Sequence, residues 1–186
     1  MVKSGGDFSE EDRILRLFKI SLLLENYSDI FSDFDPRPFS ERALSDDFLL
    51  EARKAVRDKP AGGIQLNFLI PKSRRDLNHE KLIKKRLKEH FIRHYLILEK
   101  DRHNILRRGI LFTVTGVLLT AVISFFFLPK AQGNIFMNFL VVLLEPASWF
   151  LFWEGLNQVI FESKRINPSL HFYKKMSNCD VQFMGV

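Results

Sequence analysis

The sequence predicts a mainly α membrane protein: a two-span transmembrane helical hairpin plus a small cytosolic α+β domain formed by both chain ends. Three observations lead there. Residues 110–128, "ILFTVTGVLLTAVISFFFL", contain no charge, and residues 134–153 contain only Glu145. Each run is about 20 residues, the length a helix needs to cross roughly 30 Å of hydrocarbon. The 28 Lys/Arg and 22 Asp/Glu of the 186-residue chain lie almost wholly outside these runs, as a water-soluble part requires.

Lys and Arg beside the spans set the orientation. Arg93, Lys100, Arg102, Arg107 and Arg108 precede the first span, and Lys164, Arg165, Lys174 and Lys175 follow the second. The connecting loop offers only Lys130, so both termini are expected in the cytoplasm. The chain divides into a cytosolic α+β region (1–76), a basic juxtamembrane stalk helix (77–108), a first span (109–128) and an external loop (129–133). A second span (134–153) and a cytosolic helix with a C-terminal strand (154–186) complete it.

Within the soluble part, Ser9 is placed to cap a helix from about Glu10 to Glu25, with Ile14, Leu15, Leu17, Phe18, Leu22 and Leu24 on a broad apolar face. Arg16 and Lys19 interrupt that stretch and no small-residue cleavage site follows, which argues against a signal peptide. "SDFDPRPFSER" is a turn-rich connector. A second helix is expected from Ser45 to about Arg57, stapled by Leu44 and Leu49 and stopped by "KPAGG". Ile64, Leu66, Phe68 and Ile70 alternate with Gln65 and Asn67, the period of a half-buried strand, and "VQFMGV" alternates likewise through Val181 and Phe183. A lone strand leaves its backbone unsatisfied, so these two are expected to pair or to join one small sheet.

Residues 71–108 hold 13 Lys/Arg against 5 Asp/Glu. Two readings follow: basic side chains meeting anionic headgroups at about 1 kcal/mol each, or a stalk continuous with the first span, with Leu87, Phe91, His94 and Leu98 packing against neighbouring subunits. No base-reading module accompanies the charge, which argues against nucleic acid.

The first span carries small or hydroxylated residues at helical spacing: Gly109, Thr113, Gly116, Thr120 and Ser124. The second carries Asn134, Asn138, Glu145, Ser148 and Gly155. Such stripes favour close helix packing, and the hairpin is expected to bring them together. Glu145 lies about 16 Å from the loop at 1.5 Å per residue, near the bilayer midplane. An acid there costs about 2.5–3.5 kcal/mol and is expected to face protein or water. Pro146 cannot donate to the carbonyl of Val142, which leaves an acceptor beside the carboxylate and predicts a bend. Two roles compete for Glu145: a hydrogen bond to Thr120 or Thr113 that locks the hairpin, or an ion pathway between subunits, with Pro146, Asn138 and Ser148 beside it.

The Glu145-Pro146 pair after a short external loop, in a two-span chain with both termini inside, resembles the mitochondrial calcium uniporter family, whose pore motif reads W-D-x-x-E-P. The Trp and Asp positions are Val141 and Val142 here, and calcium selectivity is not carried across. Trp149 and Trp153 are expected at the inner interface as anchors.

In the soluble part, His90 and His94 are four residues apart, the spacing that can place two imidazoles on one metal, but no third ligand is specified. Arg37 and Arg42, flanked by Asp33, Asp35 and Glu41, read as a local ion-pair network in preference to a phosphate site. The single cysteine, Cys179, has no intrachain partner, and no nucleophile or cofactor motif is present. The sequence therefore reads as a non-enzyme without cofactor, a homo-oligomer in contact with lipid and anionic headgroups. Its expected role is a cation or proton channel. The alternative is a membrane-anchored scaffold or regulatory module whose cytosolic domain binds an unidentified partner, with Glu145 a structural hydrogen-bonding residue.

Overall fold

The structure is a computed structural model and describes residues 18–57, 59 and 63–186. It is mostly helical with one small three-stranded sheet, and it divides into two compact units, Met1–Tyr95 with His171–Val186, and Leu96–Leu170.

The first unit holds the sheet, in the order β1 (Lys19–Leu23), β2 (Gln65–Ile70), β3 (Asp180–Gly185), with both pairings parallel. Parallel neighbours need a crossover. Helix α1 (Asp46–Arg57) lies on the one between β1 and β2, and the whole second unit lies in sequence between β2 and β3. The expected pairing of the two alternating segments is present, with Leu66 opposite Val181 and Phe68 opposite Phe183. Leu66, Phe68 and Ile70 are fully buried on the central strand. Beside others from the outer strands and the connector, three helices add core residues at four-residue steps, each a stripe on one helical face. They are Phe48, Ala52 and Val56 on α1; Ile83, Leu87 and Phe91 on α2 (Leu77–Val122); and Phe172 and Met176 on α4 (Ser163–Ser177).

One expected element is overturned. The helix read over Glu10–Glu25 is not continuous through that range: Lys19–Leu23 is β1, and residues 10–17 lie outside the described residues. Ile20 is buried between exposed Lys19 and Ser21, and Leu22 is half-buried between Ser21 and exposed Leu23. The apolar positions read as a helical face thus contain a period of two, and parallel pairing with β2 selects it over local propensity. The stalk residues Leu87 and Phe91 also differ from the expected intersubunit packing. Both are fully buried in this chain's own core, and Phe91 meets Phe172 edge-on.

In the second unit, residues 96–122 of α2 lead into a π-helical turn at Ile123–Phe127 and a helical turn at Leu128–Ala131. Gly133, at φ +85°, reverses the chain in a conformation that a side chain would strain. Helix α3 (Ile135–Asn157) then runs back, its first turn capped by Asn134, which accepts from the amides of Phe136 and Met137. Pro146 sits inside α3, which continues on both sides of it. A second π-helical turn, Gln158–Glu162, leads into α4. The two helical stretches Leu77–Ala131 and Ile135–Ser177 are long and apolar enough to cross a membrane, and only 11% of each apolar window is buried, unlike the core helix of a soluble protein.

Candidate functional site

The small-residue stripes form a tight helix seam, though not with every residue expected in it. A β-carbon on Gly116 would lie 2.6 Å from the backbone nitrogen of Phe152 and 2.8 Å from the Ser148 carbonyl. One on Gly109 would lie 2.9 Å from the Gly155 carbonyl, and one on Gly155 would collide with Thr113 and the Gly109 carbonyl. Glycine is required at all three positions because backbone meets backbone. Ser148 is fully buried on this seam, and its hydroxyl donates to the Glu145 carbonyl at 2.7 Å.

Thr113 and Thr120 do not reach Glu145. Their hydroxyls donate back along α2 to the carbonyls of Gly109 and Gly116, each at 2.9 Å. Glu145 is exposed, its hydrogen bonding runs through its backbone carbonyl, and its carboxylate has no partner among the described residues. Asn138, Thr120 and Ser124 are likewise exposed, as is Pro146. Polar groups in the hairpin therefore divide into a buried seam and an outward flank, and Glu145 belongs to the flank. Trp149 and Trp153 also face outward, their rings 5.6 Å apart. Arg93, Lys100, Arg102, Arg107 and Arg108 are all exposed along α2.

In the first unit, His90 and His94 come together with their rings tilted 40° to each other. Their ring centroids are 4.2 Å apart, and Tyr173 of α4 stacks on His94 at 5.1 Å. Burial, helped by neighbouring His94, Arg86 and Arg93, pushes the His90 imidazole down to about 4. Its Nε2 is buried without a hydrogen-bond partner. No group of three or more metal-ligating side chains exists among the described residues.

Arg37 grips Asp35 with Nε and Nη2, at 2.9 and 2.7 Å, which holds the carboxyl far below the usual carboxylate range. Arg42 donates to the Ser32 carbonyl, and Arg86 donates to the carbonyl of Arg42. These bonds tie the connector together and frame a pocket of about 310 Å³, lined by Arg37, Pro38, Phe39, Ser40, Arg42, His79 and Leu82. The sequence did not single out a second cluster. Buried Glu80 accepts from Arg75 at 2.8 and 3.0 Å and from the Tyr27 hydroxyl at 3.2 Å, while that hydroxyl accepts from the Asp76 amide at 2.8 Å. The Arg75 guanidinium holds the Glu80 carboxyl below its ordinary value. The spacing Arg75–Glu80 was readable, but its distant partner Tyr27 was not.

No protein-family model, curated protein or solved structure matches the chain.

Proposed function

We propose that this chain is a two-span integral membrane protein with both termini in the cytoplasm, whose hairpins self-associate so that Glu145 carboxylates line a cation or proton path. One observation carries the reading: Glu145 lies exposed on an apolar helix without a partner in its own hairpin. A carboxylate left in hydrocarbon costs several kcal/mol, so intramembrane acids face protein or water. Two helices cannot enclose a path, and the seam has already consumed one face of each. Further copies are therefore needed to surround Glu145. The Val142 carbonyl, freed by Pro146, adds an oxygen ligand one turn away.

The rival reading is a membrane-anchored scaffold or regulatory module, and a specific observation favours it. The first unit exposes Phe34 at 98% on the connector that also frames the Arg37–Arg42 pocket, a surface suited to a partner. Reconstitution in liposomes separates the two. Cation or proton flux above empty vesicles, lost in Glu145→Gln, is the expected result. No flux, or flux indifferent to the substitution, leaves the anchored module.

A further inference from the structure

The outward flank of the hairpin carries a groove of about 500 Å³, with Thr120, Ala121 and Ser124 on one wall and Trp149 and Phe152 on the other. Glu145 precedes Trp149 by four residues and follows Asn138 by seven, so these three share one flank of α3. Because Gly116 packs opposite Ser148 and Phe152, counting along the antiparallel helices sets Glu145 level with Thr120 and Ala121. The groove therefore has hydroxyls at the depth of the acid. Thr120 spends its proton on the Gly116 carbonyl and keeps its oxygen as an acceptor, while the Ser124 hydroxyl has no partner among the described residues. The π-helical turn at Ile123–Phe127 lies at this wall, and such turns recur at functional sites.

We propose that this groove is the docking site for a second copy of the chain, whose Asn138–Glu145–Trp149 flank enters it so that Glu145 of one copy meets Thr120 and Ser124 of the other. The proposal rests on the self-association in the function proposed above and is independent of conduction. The argument for a second copy is polar complementarity at matched depth. Two copies inserted in the same orientation hold equal residues at equal height, so a two-fold axis along the membrane normal sets acid against hydroxyl on both sides at once. An acyl chain would cover the apolar walls but leave the carboxyl and the Ser124 hydroxyl unmatched.

The test uses the full chain carrying Cys179→Ser, co-reconstituted as two differently tagged populations. One population carries Val117→Cys and the other Trp149→Cys, two groove residues at matched depth. A mixed-tag disulfide dimer is expected. The pair Leu118→Cys with Phe150→Cys, also close in depth but exposed away from the groove, is expected to give little. As a measure that needs no introduced cysteine, Glu145→Leu, which has neither donor nor acceptor, is expected to reduce co-purification of two tagged copies about tenfold, the effect of one hydrogen bond. Cross-linking confined to the Leu118–Phe150 pair, or a chain that stays monomeric with lipid filling the groove, overturns the proposal. Groove cross-links without flux retain the docking site and remove the ion path; flux without groove cross-links places the interface elsewhere and removes this proposal.

Discussion

His90 shows how a single buried side chain becomes a pH-dependent property of a domain. Its imidazole is held neutral by burial and by the nearby charges of Arg86 and Arg93, with a folded value of about 4. In the unfolded chain it returns to about 6.5. Between those values the unfolded state binds more protons, so stability rises with pH and falls as pH drops from about 6.5 toward 4. His90→Leu is expected to reduce that slope, leaving the smaller part that belongs to His94, whose pKa burial also lowers. It also removes a buried nitrogen that has no hydrogen-bond partner, so stability at pH 7 is expected to hold or rise. Urea midpoints measured across pH check both points. A separate loss below the ordinary carboxylate values of about 3.9–4.3 belongs to Asp35 and Glu80, whose pairing with Arg37 and Arg75 lowers their folded values, and is expected to survive in the variant. An unchanged slope in His90→Leu would show that the histidine is not the titrating group. Sequence made the four-residue spacing of His90 and His94 visible. The stack of Tyr173 on His94 was not, because Tyr173 of α4 follows in the chain only after the hairpin.

The elements of the hairpin follow a seven-residue logic that a reading by fours and threes blurs. Gly109, Gly116 and Ile123 are buried on α2 and the turn that continues it, and Val141, Ser148 and Gly155 are buried on α3. Steps of seven hold a residue to within about 20° of one face, whereas each step of four drifts about 40°. Thr120 and Ser124, reached from Gly116 by two steps of four, therefore leave the seam, as does Glu145 four residues after Val141. The sequence showed that the stripes existed; it did not show which members would touch, because helical spacing alone leaves the centre of the contact open. The close approach at Gly155 predicts that Gly155→Ala forces a β-carbon into Thr113 and the Gly109 carbonyl. Overpacking of this kind costs about 1–3 kcal/mol. Unfolding followed by the fluorescence of Trp149 and Trp153 is expected to occur at lower denaturant, while Gly63→Ala, with nothing within 4 Å, is expected to leave the transition in place.

At the scale of the whole molecule, the sheet ties the last residues of the chain to its early ones. The central strand β2 receives β1 on one edge and β3 on the other, and β3 comes from residues separated from β2 by the entire hairpin. Alternation in "IQLNFLIP" and "VQFMGV" made this closure readable, since two half-buried strands without local partners had to find each other. The third strand was hidden inside a segment whose apolar residues also fit a helix. β3 supplies more than backbone pairing: Phe183 packs against Phe68 at 5.1 Å and meets Tyr27 edge-on at 5.7 Å, and Tyr27 in turn holds the Asp76 amide and Glu80 at the start of α2. Removing residues 180–186 would strip the β2 edge of its partner and expose Phe68. It would also withdraw the buried side chains of Val181 and Phe183, each contributing about 1.5–3 kcal/mol by burial alone. A domain has about 5–15 kcal/mol in total, so the truncated first unit is expected to lose its cooperative transition. Limited proteolysis in detergent would read this as rapid cleavage within residues 18–95, with the hairpin protected. The milder Phe183→Ala is expected to keep the transition and shift it by about 3–5 kcal/mol. A truncated chain as resistant as the intact one would mean that β1, β2 and the three helices close the core without β3.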